Sequence, residues 1–193
     1  MDTKVISAFP ACGKTYAFEK LSKKGYKVLD SDSSLSSWIE RERTEEELQE
    51  LKEAWESSPH LLSGDGYIEQ IRHDKIKVRN PEFPNNYIQH IKDNIGKVDY
   101  IFVSSHKEVR DALIENNIWF TLVYPARHAK AEWVGRCFLR GSGEKFCQLI
   151  ADNWDKWIDE MNNVSKCDKR ILGYGNYCRH YKYLSDLIED GLI

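Results

Sequence analysis

Short apolar runs separated by longer polar stretches set the pattern of this chain. Five runs have the length and the β-branched or aromatic character of buried strands: residues 4–9, 26–30, 99–103, 119–124 and 170–172. Segments with helical spacing of apolar residues lie between them. Strands that alternate with helices predict an α/β fold, in which helices cover both faces of a five-stranded parallel sheet.

The helical segments show terminal signals as well as apolar faces. Gly25 follows the first of them, as is typical of the position just after a helix, and Thr44 precedes three glutamates in the manner of an N-cap. The stretch 144–161 is the clearest amphipathic helix. By contrast, the basic residues 126–143 end in Arg-Gly-Ser-Gly and predict a mobile loop. We predict helices over residues 14–24, 87–95, 106–117, 144–161 and 181–189.

Composition indicates an ordinary globular domain. The 193 residues suit a single domain, and the net charge of −3 lacks the basic excess of a dedicated nucleic-acid binder. Five cysteines without a C-x-x-C pair or metal-ligand spacing predict reduced thiols. The opening apolar run is shorter than a signal-peptide core, and no run approaches the roughly 18 residues that span a bilayer. We therefore expect a cytoplasmic protein with no membrane or nucleic-acid partner. Whether the chain forms a homodimer is left undecided by the sequence.

The first strand leads into a phosphate-loop pattern. Such loops read G-x-x-x-x-G-K-[ST] between a strand and a helix, and here Gly13-Lys14-Thr15 completes the second half while Ala8 replaces the first glycine. Backbone N–H groups from Ala11 to Thr15 would surround a phosphate at the helix N-terminus. Lys14 would bridge the β- and γ-phosphates of ATP, and the Thr15 hydroxyl would ligate Mg²⁺. The alternative is a strand–turn–helix that contains Gly-Lys-Thr by chance.

Carboxylates follow the second strand. Asp30 and Asp32 fall at its carboxyl end, where open α/β sheets place their ligands. They would hold Mg²⁺, bind an acceptor or take its proton; alternatively, Asp32 caps a following helix. The third strand is followed by Ser104 and Ser105 rather than by an acid, which makes Asp30 or Asp32 the expected metal partner. For Ser105 we predict a structural role, as the N-cap of the next helix.

Basic residues cluster between the fourth strand and the long amphipathic helix. Phosphoryl transfer requires positive charge on the transferring oxygens, and arginines on a closing loop provide it. Arg127, Arg136 and Arg140 are the candidates, and the last two would share a face if this part is helical. The alternative is a solvated basic patch paired with neighbouring glutamates.

Taken in order, these features resemble the adenylate-kinase-like nucleoside monophosphate kinases, and among them the small phage-type deoxynucleoside monophosphate kinases. The resemblance lies in the order of strands, loops and helices over nearly the whole chain, and at residue level in Gly13-Lys14-Thr15. The stretch 25–32 is also similar to shikimate kinases, in which such aspartates bind metal and acceptor. No Asp-Arg pair of the kind found in many nucleotide kinases follows the third strand.

The resemblance implies a phosphotransferase with ATP and Mg²⁺ as cofactors and a nucleoside monophosphate as small-molecule substrate. One P-loop kinase domain would cover residues 1–193, with an acceptor-binding insertion at 33–95 and a LID-like segment at 126–145. The residues it implies divide into four groups: catalytic Lys14, Arg127, Arg136, Arg140 and Asp32; ATP-binding Ala11, Cys12, Gly13, Lys14, Thr15 and Tyr174; acceptor-binding Asp30, Asp32, Arg72 and Arg79; metal-binding Thr15 and Asp30.

Two alternatives to this function remain at the level of sequence. One is a polynucleotide or other metabolite kinase, which differs in the acceptor alone. The other is a nucleotide-binding protein without catalysis, a reading that Ala8 and the missing acid after the third strand favour. Cys12 lies near a helix N-terminus, where thiol pKa values tend to fall, so we expect its alkylation to block ATP binding.

Overall fold

A computed structural model describes residues 2–57, 68–69, 71–173 and 182–193. These residues form two compact units, one comprising Met1–Ser33 with Pro84–Ile193 and the other Ser34–Phe83. The strands are β1 (Lys4–Ala8), β2 (Val28–Asp30), β3 (Trp38–Arg41), β4 (Ile76–Arg79), β5 (Tyr100–Ser104), β6 (Thr121–Pro125) and β7 (Asp168–Leu172). The helices are α1 (Lys14–Lys23), α2 (Ser34–Ser37), α3 (Glu45–Glu56), α4 (Asn85–Asn94), α5 (Lys107–Glu115), a 3₁₀ turn at Arg127–Ala129, α6 (Lys130–Leu139), α7 (Glu144–Asn163) and α8 (Leu184–Glu189).

The first unit contains the predicted five-stranded parallel sheet, in the order β2-β5-β1-β6-β7. β1 lies in the centre, paired with β5 from Lys4↔Tyr100 to Ala8↔Ser104 and with β6 on its other side. Its last four residues are buried, as a strand covered on both faces requires. The prediction of a parallel α/β sheet flanked by helices is therefore confirmed.

Helices cover the two faces of the sheet because the crossovers run in opposite directions. From β1 the chain crosses to β2 at one edge, and from β5 it crosses over β1 to β6 in the other direction. Since such crossovers are right-handed, α1 and α5 lie on opposite faces. α8 packs against α1, and α4 packs against α5. The loops after β1 and β5 thus leave the sheet in opposite directions, which makes the carboxyl end of β1 a topological switch point.

The predicted mobile loop at 126–143 is wrong for most of its length, because this segment forms the 3₁₀ turn and α6. Trp133 and Cys137 lie one helical turn apart and are both fully buried. α6 packs against α7, and the indole of Trp154 on α7 donates a hydrogen bond to the carbonyl of Arg127 at 2.7 Å. Burial of this apolar stripe stabilises a helix despite the basic residues on its outer side.

The second unit contains an antiparallel pair that the sequence pattern did not reveal. β3 and β4 pair from Trp38↔Arg79 to Arg41↔Ile76. The predicted N-cap at Thr44 is confirmed, since its hydroxyl accepts from Glu47 N and the Glu47 carboxylate accepts from Thr44 N, a complete capping box. The unit ends at Phe83, whereas the predicted insertion extended to residue 95. α4 belongs to the first unit, where it buries Tyr87, Ile88 and Ile91.

In the part of the chain that the structure describes, no helix is both long enough and apolar enough to cross a bilayer.

Candidate functional site

The loop between β1 and α1 takes its shape from two residues with positive φ. Gly13 has a φ of +90° and Ala11 a φ of +62°. Ala8, which stands where the pattern has its first glycine, is the last residue of β1 and is not among the residues with positive φ. The backbone at position 8 therefore does not need glycine, and the exchange leaves the turn at 11–13 intact.

The N-terminus of α1 has no side-chain cap. Gly13 occupies the N-cap position, no acidic residue stands in the first turn, and the first intrahelical bond runs from Ala17 N to Gly13 O. The N–H groups of Lys14, Thr15 and Tyr16 precede that bond and have no partner within the helix. α3, with its complete capping box, is the opposite case. An uncapped helix N-terminus with its positive dipole end is suited to an anion.

A cavity of about 560 Å³ opens at this helix end. Its walls bring together the phosphate loop, the end of α6 and the segment before α8, which are distant in sequence. The lining residues are Ala11, Gly13, Lys14, Thr15, Tyr16, Arg136, Leu139, Arg140 and Tyr183. Four of the predicted ATP-binding residues and two of the three predicted arginines thus share one cavity.

Lys14 is held inside the loop. Its ammonium donates a hydrogen bond to the carbonyl of Ala8 at 2.7 Å. Burial lowers the pKa of Lys14, while the carboxylates of Asp30 and Asp32 oppose that shift and Arg140 adds to it. A half-buried ammonium whose acceptor is a neutral carbonyl gains from an anionic partner, because that partner replaces the lost hydration.

The carboxylates after β2 lie beside the loop. The Thr15 hydroxyl donates to Asp30 Oδ2 at 3.4 Å, and burial raises the pKa of Asp30 although Lys14 and Thr15 oppose this shift. Tyr87, which is 1% exposed, donates from its hydroxyl to the carbonyl of Ser31 at 2.7 Å and so fixes the backbone between the two aspartates. Asp32 itself is exposed. The structure therefore brings Lys14, Thr15 and Asp30 together.

The three predicted arginines have different surroundings. The guanidinium of Arg136 lies 4.0 Å from the ring centroid of Trp133 and 4.6 Å from that of Tyr183, and it also donates to Glu132 and to the carbonyl of Lys182. Arg140, at the C-terminus of α6, donates to the hydroxyl of Ser142.

Arg127 does not line the cavity. It forms ion pairs with Asp155, at 2.7 Å, and with Asp159, both on α7. Its predicted role on the phosphates stays a prediction, and its charge is engaged on another part of the surface.

Tyr183 is a site residue that the sequence did not suggest. Its ring covers Gly13, where an added Cβ would lie 3.4 Å from Tyr183 Cδ1, and it stacks on Arg136. The next residue, Leu184, donates its N–H to the carbonyl of Cys12 at 2.9 Å. No motif marks this position, because the contact joins the two ends of the chain.

The lowered thiol pKa that the position of Cys12 near a helix N-terminus suggested is wrong, whereas the effect of its alkylation on ATP binding stays a prediction. Its side chain is fully buried, and burial raises its pKa to about 12. The thiol contacts the carbonyl of Val123, on β6, at 3.9 Å. Desolvation therefore outweighs the effect of the helix N-terminus.

Ser105 does not cap α5, which was the role predicted for it. The N-cap of α5 is His106, and no side-chain cap bond is formed there. Ser105 is buried, and its carbonyl accepts from Arg110. β5 adjoins β1 and ends at Ser104, so the strand next to the phosphate loop ends without an acid.

The two remaining predicted arginines belong to the second unit. Within the second unit, Arg72 pairs with Glu45 and Glu69, and Arg79 stacks on Phe83 with 4.4 Å between guanidinium carbon and ring centroid. Tyr174, predicted near the ATP base, lies outside the described residues.

The oxygen donors beside the loop are of the kind that binds magnesium together with substrate phosphates, rather than a metal site made only of protein side chains. Among the described residues, no group of three or more His, Cys, Asp or Glu side chains forms a metal cluster. Mg²⁺ is commonly held by one or two carboxylates together with substrate phosphates and water. The hydroxyl of Thr15 and the carboxylate of Asp30 are oxygen donors of this kind.

Compared with models of known protein families and with curated proteins, the chain matches none.

Proposed function

We propose that the protein transfers the γ-phosphoryl group of ATP to a small-molecule acceptor, a nucleoside or deoxynucleoside monophosphate. The observation that carries this proposal is the uncapped N-terminus of α1, which opens with Lys14 into a cavity that Arg136 of α6 and Arg140 at its C-cap also line. A helix N-terminus, a half-buried lysine and convergent arginines form an electrostatic site for a polyphosphate. A fold of this class by itself would not imply it.

In this proposal the loop residues bind the phosphates of ATP. The N–H groups at the start of α1 donate to the β-phosphate, and Lys14 exchanges the carbonyl of Ala8 for phosphate oxygens. Arg136 and Arg140 stabilise the charge on the transferring phosphoryl oxygens. Thr15 and Asp30 would hold Mg²⁺, which neutralises charge on the β- and γ-phosphates when bound.

The acceptor would approach from the carboxyl ends of β2 and β5. The crevice outside the strand ends at a topological switch point is where ligands of open α/β sheets bind. Asp32 follows β2, is exposed, and accepts the proton of the attacking oxygen in this proposal. Tyr87 positions it through the backbone of Ser31.

The deciding experiment measures ADP release from ATP and Mg²⁺ with a panel of ribo- and deoxyribonucleoside monophosphates. Lys14→Ala serves as the inactive variant, and a loss of at least about 10²-fold in turnover is expected because Lys14 acts on charge that develops in the transition state. Turnover with one acceptor that survives in Lys14→Ala would contradict the proposal.

If no nucleoside monophosphate of the panel supports turnover, ATP binding and other acceptors separate the two alternative functions. ATP binding with turnover on a polynucleotide or another metabolite would retain the kinase and change its acceptor. ATP binding with no turnover on any acceptor would indicate a nucleotide-binding protein without catalysis, in line with the absence of an acid after β5.

A further inference from the structure

A second cavity, of about 210 Å³, lies on the other side of the phosphate loop, between α5 and α7. Phe9 and Pro10, the first residues of that loop, form part of its wall. Its volume equals that of roughly seven waters at liquid density. This is room for one ring system and too little for a whole nucleotide.

The apolar walls of this cavity are largely aromatic. Phe9 and Trp157 meet edge to face with their ring centroids 6.3 Å apart, and Phe146 and Met161 extend the apolar surface. Planar π-systems stack on such walls, and base–aromatic stacking is the usual way in which proteins bind unpaired bases.

Arg110 is a buried polar group that lines this cavity and whose bonding is incomplete. It is 4% exposed, and its Nη atoms are engaged, Nη1 with the carbonyl of Ser105 and Nη2 with Glu160 Oε2 at 3.6 Å. Its Nε–H has no acceptor among the residues that the structure describes. This nitrogen has almost no accessible surface, so a ligand in the cavity does not reach it, and Arg110 contributes by holding Glu160 in place.

Glu160 provides a carboxylate acceptor in the wall of this cavity. Its side chain is partly exposed and lines the same cavity. A ligand edge that carries an N–H donor would bond to the Glu160 carboxylate. Purine and pyrimidine bases carry such edges, and glutamate is an established partner of base edges.

We propose that this cavity binds the heterocyclic base of the acceptor nucleotide, with its edge on Glu160 and its face against the rings of Phe9, Phe146 and Trp157. The sugar and phosphate then lie outside the cavity. The assignment of the base to the acceptor rests on the proposed function, because one loop lines both cavities and ATP phosphates occupy the other one.

Binding of the four deoxynucleosides to the full chain without ATP, measured by titration calorimetry, tests this site. Leu149 lies on the rim and is 48% exposed, so Leu149→Trp fills the cavity without entering the core. We expect this variant to bind the preferred nucleoside at least about tenfold more weakly. Leu192→Trp, at an exposed leucine that lines neither cavity, should bind it as the wild type does.

Glu160→Gln provides a second variant, which removes the carboxylate charge and keeps the side-chain volume. It should also lose at least about tenfold in nucleoside affinity. A folded Leu149→Trp protein that binds the nucleoside like the wild type would overturn the base site, and so would a wild type that binds none of the four at millimolar concentration.

Turnover separates this inference from the function on which it rests. If the wild type turns over ATP and Leu149→Trp has the same KM for the acceptor, the kinase proposal stands and the base site is overturned. If the wild type binds the nucleoside but shows no turnover, and Leu149→Trp abolishes that binding, the base site is supported and the kinase proposal is contradicted.

Discussion

At Gly13 the backbone has a φ of +90°, and at Gly25, beyond the end of α1, it has a φ of +88°. Alanine at either position would adopt a left-handed conformation, so each substitution should lower the free energy of unfolding by about 1–2 kcal/mol in urea titrations. Only Gly13→Ala should also weaken ATP binding, because it alters the helix start and adds a Cβ against Tyr183. Equal ATP affinity of the two variants would contradict a role for the loop.

The arginines give a second prediction at this scale. Arg140→Ala should lower kcat by about 10² or more with little change in ATP affinity, because Arg140 lines the phosphate cavity. Arg127→Ala should lower kcat by less than about tenfold, because its guanidinium pairs with Asp155 and Asp159. Steady-state kinetics of both variants with the acceptor found in the panel decide the point. A larger loss in Arg127→Ala would favour the prediction made from sequence.

Cys12 should resist alkylation in the native protein. Its pKa of about 12 leaves almost no thiolate at pH 8, and its side chain is inaccessible. Pulse labelling at pH 8 followed by peptide mass spectrometry should modify Cys12 only after denaturation. Cys167, which is partly exposed, provides the comparison within the same sample. Rapid native labelling of Cys12 would show that the loop opens.

The start of α3 predicts a pH dependence at the scale of elements. Arg41 and the N–H of Thr44 hold the pKa of Glu47 at about 2, below its ordinary value of 4.5. A depressed pKa stabilises the folded state above pH 4.5, and this contribution is lost as the pH falls toward 2. In Glu47→Gln, the helical circular-dichroism signal should therefore decrease less as the pH falls through that window. Glu50→Gln, at an exposed position on the same helix, should retain it.

Elements with one apolar face were predictable, and elements without one were not. β1, α1 and α7 carry apolar residues at strand or helix spacing over most of their length, and their observed bounds lie close to the predicted ones. β3 and β4 are four residues long, with side chains that are exposed or half-buried throughout. Such strands are stabilised by pairing with each other, and pairing leaves no periodicity in either segment.

Binding should be visible in the stability of the whole molecule. A ligand that binds only the folded state at 100 times its Kd adds about 2.7 kcal/mol to the free energy of unfolding. ATP with Mg²⁺ at that ratio should raise the thermal midpoint of the wild type and leave Lys14→Ala nearly unchanged. A thermal shift of equal size in both proteins would place ATP outside the loop.

The sequence by itself determined the alternation of strands and helices, the phosphate-loop pattern after β1 and the carboxylates after β2. These features depend on spacing within about one helical turn or on residues that adjoin in the chain. Lys14, Thr15 and Asp30 could therefore be selected as candidates before any contact between them was known, and the structure brings them together.

Only the tertiary structure decided which distant residues join that loop. Three contacts join separate elements: Tyr183 stacks on Arg136 beside Gly13, Arg127 forms ion pairs with α7, and Arg110 meets Glu160. Strand order and crossover direction determine such neighbours, and the periodicity of a single segment does not record them. Burial of Cys12 likewise follows from its packing on β6, and it reverses the pKa shift that its place at a helix end had suggested.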